Sequence, residues 1–307
     1  MINYYMPGFV ESQPAYAHLF YLRDNAPQCF YDNVCIKKIY GAFPNMIWNG
    51  GSYWFGPVMS PDAVKEYFEW YKNKGVILQL VCTNPILVET DVYDRYCNMI
   101  LEIASHYPFV EVLVSSPILE KYIKEKYPHV SIDKSIIATT RDRETETDNL
   151  EHYLEDAQNY NMCVLPRKYT RDVDFLKQIP EDLRSRFEIL VTDPCPINCP
   201  RLYTHYEDMA KIQLYEPVDK SVGFCTGIHP ENPFRKWTYR HQRVQYDELT
   251  KVYEPLGFTE IKLSGRTSMV QMAVTTVPYL IKPEYREDVY MDLLNSYTHE
   301  IPEPRFV

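Results

Sequence analysis

The sequence predicts an α/β protein, a TIM-type (β/α)8-like barrel of irregular form, on three observations. Short apolar runs alternate with longer amphipathic stretches along most of the chain. At least seven apolar runs indicate strands, and most are joined by a helical segment, as in a parallel sheet covered on both faces. Seven or eight such units in about 250 residues fit a closed barrel better than an open doubly wound sheet. With no linker or repeat, the 307 residues are predicted to form a single barrel domain, 1–307.

The predicted elements follow in order along the chain. Strands are expected at 35–43, 76–83, 110–116, 134–140, 162–169, 187–192 and 259–265. Helices are expected at 60–75, 90–107, 117–127, 147–160, 172–186 (broken), 267–281 and 283–297. The first of these helices has a serine N-cap, a proline at its first position and a terminal glycine.

Two regions depart from this alternation. Residues 195–258 show little strand or helix periodicity and are predicted to be a long βα loop insertion over the C-terminal face, where the catalytic groups of such barrels gather. Residues 283–307 are predicted to close the chain as a C-terminal helix and tail.

The composition restricts the function and the compartment. A hydrophobic content of 45% and a charged content of 24% are typical of a globular chain. A net charge of -10 argues against a general nucleic-acid or membrane-surface binder, although a local basic pocket remains compatible with it. We expect a cytoplasmic protein with no membrane partner, because the N-terminus lacks a secretory signal and no apolar run approaches the ~20 residues that span a bilayer.

Cysteines provide the strongest chemical signal. In a reducing compartment the eight cysteines are expected to be core residues, nucleophiles or metal ligands. Cys195, Cys199 and Cys225 fall in the long loop, where their sulfurs could converge on a soft metal or an iron–sulfur cluster. Two residues are candidates for the fourth ligand. Cys82 lies at the end of a predicted strand, and His229 would complete a CxxxC…CxxxH zinc site. The cysteines within or beside apolar elements are predicted to be buried core residues, namely Cys29, Cys35, Cys97 and Cys163.

Basic and amide side chains complete the candidate site. Arg201 and His205 are four residues apart and would share a helix face near Cys199, either as contacts to an anionic substrate or cluster or as a solvated pair. Lys262 and Arg266, in "IKLSGR", lie beside a helix N-terminus and would suit a carboxylate or phosphate. The alternative is a β–α turn with incidental charges.

Asn49 and Asn84 follow two predicted strands. They would either orient a ligand or satisfy the backbone of their turns, and turns are the commoner use. Motifs for dinucleotide binding, nucleotide hydrolysis, zinc peptidases and serine hydrolases are absent from the sequence.

This combination of motifs resembles the U32 collagenase-like peptidase family. The cysteine pair after a late strand, the downstream cysteine and "KLSGR" carry the resemblance, with serine where the family has an acid before Gly265. It implies a TIM-barrel-like fold, a [4Fe–4S] cluster and hydroxylation without molecular oxygen, with prephenate as the oxygen source. The resemblance implies that Cys195, Cys199, Cys225 and Cys82 are the cluster ligands.

Three hypotheses follow from these observations. The leading one is oxygen-independent hydroxylation, or a related redox modification, of an anionic small molecule or an RNA base, with Arg201, His205 and Arg266 as catalytic residues. Asn49, Asn84, Lys262 and Arg266 would bind the substrate. The second is a zinc-stapled binding or accessory protein, and the third is a metal-free barrel that serves a protein partner. Peptidase activity lacks an activated nucleophile and a hydrolytic metal motif.

Overall fold

The computed structural model describes residues 1–52, 54–144, 149–193, 195, 201–218, 243–265 and 269–295. Within them, eight parallel strands close into a barrel in the order β1 to β8. The strands are β1 Ile2–Pro7, β2 Val34–Gly41, β3 Ile77–Cys82, β4 Val110–Val114, β5 Ile132–Lys134, β6 Cys163–Val164, β7 Phe187–Leu190 and β8 Glu260–Lys262. The predicted TIM-type barrel is therefore confirmed.

Helices alternate with these strands around the outside of the barrel. In the described ranges they are α1 Gln13–Asn25, α2 Pro61–Lys72, α3 Arg95–Ser105, α4 Pro117–Lys126, α5 Ile136–Glu144, α6 Leu150–Asn159, α7 Arg167–Thr170, α8 Val173–Gln178, α9 Leu202–Gln213, α10 Tyr246–Glu248, α11 Met269–Leu280 and α12 Arg286–Asn295. Short 3-10 turns cover Pro27–Cys29, Asp91–Tyr93, Glu181–Arg186 and Pro283–Tyr285, and a π-helical turn covers Leu249–Tyr253. None of the helices in these ranges is long and apolar enough to cross a membrane.

Helix starts follow local chemistry where the sequence predicted them. The Ser60 hydroxyl accepts a hydrogen bond from the Ala63 amide at 3.2 Å, ahead of Pro61 at the first helical position. Ser116 does the same for α4. Such caps satisfy amides that the first helical turn leaves unpaired, so they fix where each βα unit turns back.

Two predicted strands are wrong over most of their length, and the first strand and the first helix were not predicted from the sequence. Only the start of 134–140 is extended, because the Ser135 hydroxyl accepts bonds from the amides of Ile137 and Ala138 and begins α5. The strand in 162–169 is two residues long, and α7 follows Pro166. The missed elements, β1 and α1, lie at the N-terminus. The predicted loop 195–258 lies between β7 and β8, and its described part contains α9 and α10.

The barrel interior contains several buried ion pairs. Side chains alternate between the two sides along each strand, so the inward residues can be assigned from the register. Lys38 on β2 donates to Asp133 on β5 at 2.7 Å and also pairs with Glu111 on β4. Lys262 on β8 lies 2.6 Å from Glu188 on β7. These ion pairs lie inside the barrel, beneath its C-terminal mouth.

Candidate active site at the mouth of the barrel

A buried ion pair lies where β6 and β7 end. Arg167, at the start of α7, donates from its guanidinium to the Asp193 carboxylate, and both side chains are largely buried. The Arg167 Nη2 atom also donates to the Tyr206 hydroxyl of α9 at 2.5 Å. Burial lowers the pKa of Arg167, but the Asp193 carboxylate, Tyr206 and Cys195 together hold the pKa well above its usual range. The mouth therefore contains a fixed positive charge.

Asp193 also positions Cys195. Its second carboxylate oxygen accepts the Cys195 amide at 2.9 Å, which is the Asx-turn pattern of a side chain bonding the backbone two residues on. Cys195 is half-buried and lies within electrostatic range of Arg167 and Tyr206. The Asp193 turn thus fixes the first predicted ligand beside a guanidinium, at the barrel mouth.

One guanidinium nitrogen of Arg167 is uncommitted. Its Nη1 atom is buried and has no hydrogen-bond partner in the part of the chain that the structure describes. A buried, unpaired N–H costs about 1–3 kcal/mol. A carboxylate or phosphate oxygen is the partner that a guanidinium binds best. Arg167 is therefore the described residue best suited to an anionic ligand, and the sequence-based interpretation gave it no role.

Cys82 does not share this location. It is the last residue of β3, which lies opposite β7 in the closed order of eight strands. Gln79 points into the barrel, where it donates to Asp133, so strand alternation turns Cys82 three residues later toward the helices. Cys97 of α3 lies within its electrostatic range, and burial raises the pKa of the Cys82 thiol to about 12. This arrangement does not bring Cys82 and Cys195 to one metal ion.

The remaining predicted ligands lie outside the described residues. Cys199, Cys225 and the alternative ligand His229 are in this group, as is the substrate-binding candidate Arg266. Among the described cysteines, the predicted core residues Cys29, Cys97 and Cys163 are buried, and Cys35 is half-buried.

Arg201 and His205 lie at the start of α9. Arg201 occupies the N-cap position, and its carbonyl accepts the His205 amide at 2.8 Å. The predicted helical spacing of this pair is therefore present. Tyr206, the next residue, contacts Arg167, so the first turn of α9 borders the Arg167–Asp193 pair.

Lys262 is engaged inside the barrel. Its ammonium lies 2.6 Å from the Glu188 carboxylate and 4.3 Å from the centre of the Tyr40 ring. Burial raises the pKa of Glu188, and the Lys262 charge opposes that rise. The described contacts thus favour a structural ion pair for Lys262 over direct substrate binding.

The two asparagines behave differently from each other. Asn84 donates to the Ile47 carbonyl at 2.8 Å and accepts the Ile86 amide at 3.1 Å, so its side chain satisfies loop backbone. Asn49 donates to the Ser52 carbonyl at 2.6 Å, but its buried Oδ1 atom has no hydrogen-bond partner among the described residues. Only Asn49 therefore presents an available acceptor.

A second cluster of possible metal ligands lies on the helix side of β5. The ligand atoms of Asp142, His152 and Asp156 lie within 4.8 Å of one another. However, the Lys134 ammonium lies 2.6 Å from Asp142 and 2.5 Å from Asp156, so it already supplies the positive charge. The cluster joins β5 to α5 and α6 and is best explained as structural.

The geometry defines a (β/α)8 barrel with a buried guanidinium–carboxylate pair and a thiol at the C-terminal ends of β6 and β7. No protein-family model matches the sequence, and no curated protein matches it. Among solved structures, the chain is similar to one described as the U32 peptidase Mk0906. The likeness covers 85% of this chain and 92% of that chain, with 13% sequence identity and a TM-score of 0.47. A likeness at this level assigns no role to any residue.

Proposed function

We propose that this protein is a metal-dependent redox enzyme that hydroxylates an anionic small molecule without molecular oxygen. The observation that supports the proposal is the placement of Cys195 beside Arg167 and Asp193 at the mouth of the barrel. A thiol that is half-buried beside a fixed cation is suited to act as a thiolate, the form that binds metals. In such barrels the C-terminal mouth is also where catalytic groups gather.

The proposed ligands are Cys195, Cys199 and Cys225, and the proposed cofactor is a [4Fe–4S] cluster. Three thiolates suit iron–sulfur ligation and leave one iron open to an exogenous ligand. When bound, the cluster would supply electron transfer or a site for the oxygen donor. The chain's own contribution is positional, because Asp193 holds the Cys195 turn and Arg167 holds Asp193.

The overall reaction is a transfer of oxygen between two organic molecules. A substrate C–H bond becomes C–OH, while a C–OH bond of a hydroxylated carboxylic acid donor becomes C–H. The substrate loses two electrons and the donor gains them, so no external reductant is required. Arg167 would bind a carboxylate of the donor or the substrate through Nη1. An RNA base as the substrate stays a prediction, disfavoured by the net charge of -10.

A zinc site is the second candidate. With Cys82 facing the helix layer, the fourth position can fall to His229 in a Cys3His tetrahedron. Such a zinc site would cross-link the segment between β7 and β8. The chain would then be a binding protein.

Anaerobic purification with elemental analysis tests the proposal. We expect a brown protein with broad absorbance near ~400 nm that Cys195→Ser bleaches. Cys82→Ser is the matched control, since that thiol is buried on the opposite side of the barrel, and it should retain the colour. A colourless protein that holds one zinc per chain and loses it in His229→Ala would overturn the iron–sulfur proposal and support the second candidate.

A further inference from the structure

Three buried polar oxygens in the segments that follow β2, β3 and β4 have no hydrogen-bond partner among the residues that the structure describes. They are Oγ1 of Thr83, Oγ of Ser115 and Oδ1 of Asn49. The three side chains are only 2%, 4% and 2% exposed, respectively, so bulk water does not solvate them. Across the described ranges each has no protein partner, and a buried hydroxyl or amide left unpaired costs about 1–3 kcal/mol.

The register makes Thr83 and Ser115 neighbours, and the loop that carries Asn49 packs against Thr83. Val81 on β3 pairs with Leu113 on β4, so Thr83 and Ser115 follow as neighbours about 5 Å apart at the strand ends. Alternation from Gln79 and Glu111 turns both side chains toward the barrel axis. A Cβ atom on Gly50 would lie 2.7 Å from the Thr83 carbonyl, so the chain next to Asn49 packs directly against Thr83.

A second Thr–Ser pair lies on the opposite side of the mouth, and its members hydrogen-bond to each other. Leu190 pairs with Lys262, which makes Thr192 and Ser264 the equivalent neighbours at the ends of β7 and β8. Their hydroxyls lie 3.1 Å apart, and the Ser264 amide donates to Thr192 Oγ1 at 2.6 Å. A Thr–Ser pair in this position can therefore satisfy itself, and the β3–β4 pair does not.

The chemistry of Thr83, Ser115 and Asn49 favours an uncharged hydrogen-bonding partner. Asn49 is an acceptor, because its amide nitrogen is held by the Ser52 carbonyl. The two hydroxyls can each donate or accept a hydrogen bond. None of the three carries a charge, and a hydroxyl-bearing group matches one acceptor and two hydroxyls better than a carboxylate does.

We propose that Thr83, Ser115 and Asn49 form a subsite for the hydroxyl groups of a ligand whose anionic end binds Arg167 across the mouth. The substrate class is thus a hydroxylated organic acid. This inference rests on the proposed function only in that it takes the C-terminal mouth as the substrate-binding face. It does not depend on which metal is bound.

Gluconate and hexanoate are the probes, because they share a carboxylate and chain length and differ in their hydroxyls. We expect gluconate to raise the melting temperature of the wild-type protein more than hexanoate does. The difference should be about 3 °C for a ligand at about ten times its dissociation constant. Equal shifts, or no shift with gluconate, would overturn the subsite.

Thr83→Val and Ser115→Ala identify the groups responsible. Each variant should reduce the difference between gluconate and hexanoate, and the double variant should abolish it. If the difference persists in the double variant, the hydroxyls bind an ordered water only and the proposal fails. Metal content measured on the same samples separates the two proposals, because loss of hydroxyl discrimination with full metal loading concerns the subsite alone.

Discussion

Each of two opposite sides of the barrel mouth carries a threonine and a serine, but the two pairs differ in their hydrogen bonds. On β7–β8, Thr192 and Ser264 bond each other and each other's backbone. On β3–β4, Thr83 and Ser115 have the equivalent register but no partner within the described chain, and Ser115 is buried where Ser264 is half-buried. The first pair closes the barrel wall, and the second leaves hydrogen-bonding capacity facing the mouth. Residue type and position alone therefore do not distinguish a structural hydroxyl from one available to a ligand.

Charge separates the two sides as well. Beside β7, the Arg167–Asp193 pair places a permanent ion pair at the mouth. Beneath β3–β4, the nearest acid on the axis side is Glu111, whose pKa is raised to about 7 by burial and by the Asp133 carboxylate. The described groups therefore differ between the two sides: a guanidinium paired with a carboxylate on one, and uncharged polar groups above a carboxyl group of raised pKa on the other.

The largest expected effect is the loss of the ion pair. Arg167→Met leaves the Asp193 carboxylate largely buried with no cation, so we expect a loss of about 3–5 kcal/mol in the free energy of unfolding. Urea denaturation measures this change. The double variant Arg167→Met/Asp193→Asn should recover part of the loss. A cost below about 1 kcal/mol would mean that the pair behaves as a solvated surface pair.

The next effect is a pH dependence that comes from Glu111. Its pKa is about 7 in the folded protein and 4.5 in the unfolded chain, so the folded state binds more protons between these values. Stability should therefore fall as pH rises from about 4.5 to 7, on the order of 2 kcal/mol, and this contribution should stay constant above that window. Urea denaturation across this range, compared with Glu111→Gln, isolates the contribution. Parallel pH profiles for the two proteins would contradict it.

The sequence predicts the barrel well because its signals are local. Alternating apolar runs, the Ser60 and Ser116 caps and the glycine after α2 lie within a few residues of the structure that they determine. The 134–140 error has a local cause too. The β-branched residues of this run favour a strand, but the Ser135 hydroxyl bonds two following amides and starts a helix.

The site is less predictable because it depends on which face of the sheet each side chain lies on and on the register of the strands. The sequence predicts that Cys82 lies at the C-terminal end of β3, but it does not tell whether the thiol faces the barrel axis or the helices. That orientation follows only once Gln79 is known to point inward. Arg167 was missed because a two-residue strand precedes it in a run interpreted as one long strand. The Asp193-x-Cys195 spacing was a usable signal, since an aspartate two residues before an amide often forms an Asx turn.

A smaller effect is expected from removing a hydroxyl of the Thr192–Ser264 pair. Thr192→Val removes the acceptor of the Ser264 amide and one partner of its hydroxyl. An unpaired, partly buried amide should lower the free energy of unfolding by about 1–2 kcal/mol. Thermal or urea unfolding measures it. No loss of stability would indicate that water replaces the hydroxyl at this side of the mouth.

The smallest effect is expected from the matched change on the open side. Thr83→Val removes a hydroxyl that has no partner in the described part of the chain, and the new methyl group has nearly the same volume. Replacing an unsatisfied polar atom with an apolar isostere is neutral or stabilising, so we expect a change within about 0.5 kcal/mol, or a slight gain. The contrast with Thr192→Val, measured under identical conditions, is the direct test of the difference between the two sides. A Thr83→Val loss as large as that of Thr192→Val would show that both hydroxyls serve the fold, and the open side would then have no capacity to offer a ligand.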